Sequence, residues 1–211
     1  MSIQDLRAEP PRDSDPAYSG LDDEALWAML RNGDKQAFAL IYNRFFPRLF
    51  NYGMKLIPQA ELIRDGIHDV FVTLWKSRQR LSATSSVKFY LYACLKRRII
   101  ALSRQNRLLP VKRLFGFPGE FEFCLSPEDS IILEQTGQIK RQKLQELINK
   151  LSRRQKEALF LRYYEGLSPK EVAAIMSLNI NSTYVLLSKA LDFLRTHRDK
   201  LLPAAFLFFF K

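Results

Sequence analysis

Between Leu151 and Leu194 the chain reads LSRRQKEALFLRYYEGLSPKEVAAIMSLNINSTYVLLSKALDFL, and its apolar residues recur at helical spacing in three runs. They predict helices over 153–164, 168–176 and 180–199. Gly166 ends the first run, as a residue that tolerates positive φ. Ser168-Pro169-Lys170-Glu171 then reads as a capping box, with Ser at the N-cap, Pro at the first helical position and Glu two residues later. Val172, Ala173, Ile175 and Met176 supply the buried side of a short helix. Ser177 to Asn179 make a turn, with Asn179 suited to cap the next helix. That last helix carries a sharp stripe of Ile180, Thr183, Leu187, Ala190, Leu191 and Leu194. At about 100° per residue, Asn181, Val185, Ser188 and Lys189 point away from the stripe, with Ser182 and Tyr184 on its flanks. Two short helices joined by such a turn form a helix-turn-helix, the unit that delivers a helix into a DNA groove. An amphipathic hairpin whose outer face is only solvated has the same stripe, so the pattern alone leaves both readings open.

Upstream, the same spacing predicts helices over 22–32, 35–57, 60–79, 87–104 and 139–150. No two-residue alternation persists, so the expected class is all-α. Leu21-Asp22-Asp23-Glu24 is an acidic helix start, and Gly33-Asp34 closes that helix and caps the next. The second stripe (Phe38, Ile41, Tyr42, Phe45, Leu49, Tyr52, Leu56) continues through Pro47, whose missing donor predicts a kink near Asn43 rather than an end. In the third helix Arg64, Asp65, His68 and Asp69 precede Phe71, Leu74 and Trp75. An acidic pair there repels DNA and attracts a basic protein surface. An ordinary surface helix with an Arg64–His68 or Asp65–His68 pairing fits the pattern equally well. In the fourth helix Leu91, Leu95, Ile99 and Leu102 form the core stripe. Arg97 and Arg104 lie opposite it, with Tyr90 close by and Lys96 to one side, while Arg98 falls at the core edge, where it snorkels or pairs. The preceding loop holds Lys76, Arg78, Arg80, Ser82, Thr84, Ser85 and Ser86, followed by Lys88, Phe89 and Tyr90. Cations, hydroxyls and aromatics together suit a single strand with unstacked bases, although a plain surface loop has the same composition.

Charge shifts the balance toward nucleic acid. Lys and Arg number 33 against 22 Asp and Glu, a net charge of +11. The net charge is −5 over residues 1–25, +10 over 26–104, −2 over 105–139 and +8 over 140–211. Two basic modules flank a weakly acidic connector, so two contacts with one polymer are expected rather than a single basic tail. Length and a 47% hydrophobic content allow each half its own core. The expected organisation is a disordered lead-in over 1–20, a first helical domain over 21–104, a flexible linker over 105–138, a second helical domain over 139–199 and an apolar tail over 200–211. Two cysteines, Cys94 and Cys124, without CxxC and with only two histidines, argue against a zinc site and fit a reducing cytosol. The acidic, polar N-terminus resembles neither a secretory signal nor a transit peptide. Paired catalytic carboxylates, a phosphate-cradling glycine loop and a Ser/Cys–His arrangement are all lacking, so neither an enzyme nor a cofactor site is expected.

Four segments in this order (GDKQAFALIYNRFFPRLFNY, DGIHDVFVTLW, FYLYACLKRRIIALSR and LSRRQKEALFLRYYEGLSPKEVAAIM with the helix after it) resemble the extracytoplasmic-function sigma factors. These are the small two-domain members of the sigma-70 family of bacterial RNA polymerase subunits. The resemblance spans roughly residues 22–199. It implies that the first domain (region 2) binds the polymerase clamp helices and opens the −10 element, and that the second (region 4) binds the β flap tip and reads the −35 element. On the positions that match, it implies core-polymerase contacts at Asp65, His68, Asp69 and Phe71. It implies −10 contacts at Lys76, Arg78, Arg80, Ser85, Lys88, Tyr90, Arg97 and Arg104, and −35 contacts at Lys170, Asn181, Ser182, Tyr184, Val185, Ser188 and Lys189. The chain departs from the family pattern in places. Ile63-Arg64-Asp65 stands for the usual Ala-Glu-Asp, with His68 for a Gln that cannot titrate. Arg97 replaces a common Asn, Ser182-Thr183 a frequent Thr-Val pair, and Lys189 an Arg, which keeps the charge but not the fork that reads guanine. The rival readings are a helix-turn-helix regulator that binds an operator by itself, and an adaptor or anti-sigma-like protein without DNA contacts. The tail LLPAAFLFFFK is about half the length of a membrane span and contains Pro203, so no stable insertion is expected. It completes the second core, binds another protein such as an anti-sigma factor, or touches a membrane surface.

Overall fold

The computed structural model describes Tyr18, residues 20–105, Phe121 and residues 144–197. The chain divides into two compact units, Met1–Pro118 and Gly119–Lys211, and all regular structure among the described residues is helical. The lead-in before Tyr18, the tail over 200–211 and most of the connector lie outside the described residues.

In the N-terminal unit four helices follow one another: α1 (Asp23–Arg31), α2 (Lys35–Leu56), α3 (Ala60–Ser77) and α4 (Val87–Gln105). The starts of α1, α2 and α4 are fixed by side chains that satisfy otherwise unpaired backbone donors, whereas α3 begins after Gln59 without such a cap. Asp22 accepts from the Ala25 amide at 2.8 Å and Asp34 from the Ala37 amide at 2.9 Å. Asp34 also accepts from the Tyr18 hydroxyl. Gly33, at φ +91°, makes the turn between α1 and α2. As expected, α2 runs on through Pro47, which faces outward. Ser86 opens α4 by accepting from the Phe89 amide at 3.2 Å.

Helices α2, α3 and α4 share one core, built on Phe45, Tyr52, Phe71 and Tyr92, each no more than 1% exposed. Leu26, Trp27 and Leu30 bring α1 onto it. Phe71 packs edge-on against Tyr42 (4.9 Å between centroids) and Phe38 (5.8 Å), and Phe38 meets Trp75 in the same way. Such contacts add roughly 0.5–1.5 kcal/mol per pair beyond burial. This corrects one expectation from the sequence. Phe71, expected at a protein contact, is 1% exposed and belongs to the core, because α3 turns residues 67, 70, 71 and 74 inward together.

In the C-terminal unit residues 144–150 are helical and form α5. It is followed by α6 (Arg153–Leu159), which continues as a π-helical turn over Phe160–Tyr164, and then by α7 (Pro169–Met176) and α8 (Ile180–Thr196). Ser152 and Gln155 form a full capping box on α6. Gly166, at φ +72°, lets the chain leave α6, and the Leu167 amide returns to the Leu161 carbonyl at 3.0 Å. Phe121 brings the connector into this core. It is fully buried, with its ring edge-on to Phe160 at 5.6 Å, and Phe160 stacks on Tyr164 at 4.9 Å.

Candidate nucleic-acid interface

Helices α7 and α8 are set by their caps. Ser168 accepts from the Glu171 amide while Glu171 reaches back to the Ser168 amide at 2.7 Å, with Pro169 in the first turn. Ser177 turns the chain at φ +54°, and Asn179 then caps α8 by accepting from the Ser182 amide at 2.6 Å. Thr183, Leu187, Ala190 and Leu194 are buried against the rest of the unit. Thr183 is accommodated there because its hydroxyl donates to the Asn179 carbonyl at 3.1 Å.

The opposite face of α8 is open. Asn181, Ser182, Tyr184, Val185, Ser188 and Lys189 are all exposed. Asn181, Ser182, Val185 and Lys189, with Asn179 and Leu186, line a single open depression. Lys170 is exposed near the start of α7, where a cation suits a phosphate. Farther along α8, Asp192 accepts from the Ser188 hydroxyl at 3.2 Å and pairs with Arg195 at 3.6 Å. The seven residues expected on this helix-turn-helix are therefore all at the surface, and four of them share one concavity.

The second candidate surface follows α3. The Trp27 indole donates to the Ser82 carbonyl at 3.1 Å, which ties the loop before α4 to α1. Thr84 accepts from the Ser86 amide at 3.2 Å. Lys76, Arg80 and Ser85 are exposed along this stretch, and Lys88 is half-buried. Arg78 is engaged within the fold. Its guanidinium lies 4.5 Å from the Trp75 ring centroid and donates to the Trp75 carbonyl at 2.9 Å, so it braces the end of α3. On α4, Arg97 and Arg104 are exposed, and Arg97 folds back toward the Ala93 carbonyl (3.1 Å) and the Cys94 sulfur (3.5 Å). Tyr90 is half-buried, edge-on to Trp27 at 5.1 Å. Burial, reinforced by the Cys94 thiol and opposed by Arg97, raises its hydroxyl above the usual pKa of 10.0.

On the acidic face of α3, Asp65 and His68 are exposed. Asp69 instead accepts from both Nε and Nη2 of Arg98, at 2.8 and 2.6 Å. Arg98 is thus the pairing residue its place at the core edge predicted, and Asp69 is a link between α3 and α4 as well as an edge of this face. Arg64 pairs with Glu61 and lies over Phe50, not against His68. Beside it runs an aromatic ladder of Tyr42, Phe46 and Phe50, with centroid spacings of 5.3 and 6.0 Å. It starts from Tyr42 of the core stripe and continues through Phe46 and Phe50, aromatics at four-residue spacing outside that stripe. Among the described residues no three His, Cys, Asp or Glu are grouped to hold a metal ion, and no helix is long and apolar enough to cross a membrane.

Comparison with known proteins bears on both surfaces. Residues 41–108 match the family model of Sigma-70 region 2, and residues 141–194 match that of Sigma-70, region 4. The ECF RNA polymerase sigma-E factor of Escherichia coli (strain K12) is 24% identical over 164 residues, covering 74% of this chain and 83% of that protein. The factor of the same description from Shigella flexneri matches to the same extent. Among solved structures, that of CnrH in complex with the cytosolic domain of CnrY aligns at a TM-score of 0.52 with 16% identity. The alignment covers 84% of this chain and 97% of that one, which is a likeness of fold.

Proposed function

Since the chain belongs to the sigma-70 family, with the region 2 and region 4 layout of its extracytoplasmic-function members, we propose that it binds core RNA polymerase in the cytoplasm, recognises two promoter elements and promotes DNA opening at one of them. The observation that carries this reading is α8. Its buried and exposed faces are opposite, its N-terminus is capped, and its exposed face gathers Asn181, Ser182, Val185 and Lys189 in one depression. In this reading α8 enters the major groove of the −35 element and Lys170 meets a phosphate. The region 4 domain takes in 139–199 and also contacts the polymerase flap tip.

The region 2 domain, over 21–104, acts at the −10 element. Lys76, Arg80 and Arg104 hold phosphates, while Ser85, Lys88, Tyr90 and Arg97 face the displaced strand. Extruding a base costs a few kcal/mol, which stacking and pocket contacts offset. This chain contributes binding and no covalent step. Asp65 and His68, with Asp69 at their edge, form the contact to the clamp helices, and the aromatic ladder beside them extends it. Phe71 contributes indirectly by fixing the pitch of α3. An anti-sigma factor is a further partner in this reading, with the apolar tail as one segment for it. Deleting residues 203–211 is then expected to weaken capture of that inhibitor while leaving initiation intact.

The test is run-off transcription. The purified chain added to core polymerase is expected to direct initiation from a subset of genomic fragments. A chain that binds duplex DNA tightly and specifically alone, yet never co-elutes with core polymerase, would be an operator-binding regulator instead.

A further inference from the structure

Among the described residues, the large apolar side chains left exposed are adjacent on one helix: Tyr184 at 54% and Val185 at 52%. Val185 sits in the depression with Asn181, Ser182 and Lys189. A helix face meant only for water carries long polar side chains, whereas this one holds out a β-branched pair of methyl groups. The polar chemistry around it is equally selective. The exposed stretch 181–189 contains no arginine and no acid, and its lone cation is Lys189 at the far edge. Guanine is read most often by the two-pronged arginine fork, which this stretch lacks. Asn181 offers an unengaged amide, the group that pairs through two hydrogen bonds with adenine. Val185 offers what the C5-methyl of thymine packs against. Ser188 is already held by Asp192, whose carboxylate limits how far along α8 phosphates can approach.

Resting on the sigma-factor reading above, we infer that α8 reads an upstream element built on A·T pairs, with Val185 selecting thymine through its methyl group and Asn181 selecting adenine beside it. The address is then a pattern of methyls and adenine edges, while Lys189 and Lys170 grip the backbone.

The decisive experiment alters the DNA and leaves the fold untouched. Core polymerase carrying the full chain selects active promoters from a library randomised in the upstream element. Each dT of the selected element is then replaced singly by dU, which deletes one methyl and keeps every hydrogen-bonding group. One or two replacements are expected to weaken promoter binding by about three- to fivefold, the loss of one buried methyl contact. Holoenzyme bearing Val185→Ala is expected to show no further loss on those replacements, and Asn181→Ala to relax selection at a neighbouring adenine. A selected element led by G·C pairs, indifference to every dU, or undiminished dT/dU discrimination by Val185→Ala overturns the inference. A chain that never supports initiation overturns both readings. One that initiates normally but ignores the methyls overturns this one alone.

Discussion

An added Cβ at Gly53 would lie 2.5 Å from Cγ2 of Ile63, a fully buried β-branched side chain with little freedom to yield. Gly53→Ala is therefore expected to destabilise the N-terminal unit by about 1–3 kcal/mol, read as a lower urea midpoint at unchanged slope. Gly66 makes the opposite case on the facing helix. A Cβ there would meet Leu95 and Leu102 at 3.6 Å, ordinary contact distance, so Gly66→Ala removes backbone freedom from the unfolded chain without a clash. It is expected to stabilise the unit by about 0.5–1 kcal/mol. Tyr90 adds a dependence on pH. Its hydroxyl is held neutral by burial, so its folded pKa lies above the unfolded value of 10.0. The stability this represents is complete below pH 10.0 and is lost as pH rises through the folded pKa. Tyr90→Phe keeps the ring against Trp27 and should flatten the fall in urea midpoint between about pH 9 and about pH 11.

Helix starts are legible where the sequence places a side chain that accepts a hydrogen bond beside donors the helix cannot satisfy. Asp34, Ser168 and Asn179 cap as their spacing implied, and Asp22, expected within an acidic first turn, is itself the cap of α1. The box at Ser152 and Gln155 has the same local logic, a hydroxyl and an amide three residues apart. Other features depend on partners distant in sequence, which periodicity does not encode. Spacing tells which residues share a face of α3 but not how much of that face is covered, so Phe71 went to the surface when the aromatic rings of α2 enclose it. Arg98 was placed at the core edge correctly, yet its carboxylate partner, Asp69, lies 29 residues away. The π-helical turn at Phe160–Tyr164 is set by bonds such as Glu165 N–H to the Phe160 carbonyl, which form only once the following turn is in place. On the candidate interface, the outward residues of α8 are exposed as their spacing implies, because a two-sided helix separates its faces cleanly. In the α3–α4 region exposure is uneven, and Arg78 packs on Trp75 at the end of α3. Ser168→Ala tests how far the recognition helix relies on its neighbour. Loss of this cap is expected to cost about 1 kcal/mol in thermal unfolding and to weaken promoter binding in step, because α7 supports α8.

In the proposed function two basic units on one chain divide the work of gripping DNA, and each has a core of its own. Phe121 makes the division sharper, since a residue from the middle of the connector is buried in the C-terminal core against Phe160. Phe121→Ala is expected to lower the stability of that unit by about 3 kcal/mol and to leave the N-terminal unit unchanged. The charge pattern announced two modules, but nothing in local composition marked Phe121 as core. The means to watch the units independently is already present. The chain has two tryptophans, Trp27 and Trp75, and both stand in the N-terminal unit, leaving the C-terminal unit to its tyrosines. The Trp27 indole proton is held by the Ser82 carbonyl, on the loop expected to receive the displaced strand. The hydrogen bond that anchors this loop is thus also an optical gauge. Capture of an unstacked base should change the emission of Trp27 in real time, whereas binding of α8 to duplex DNA should leave that emission as it was.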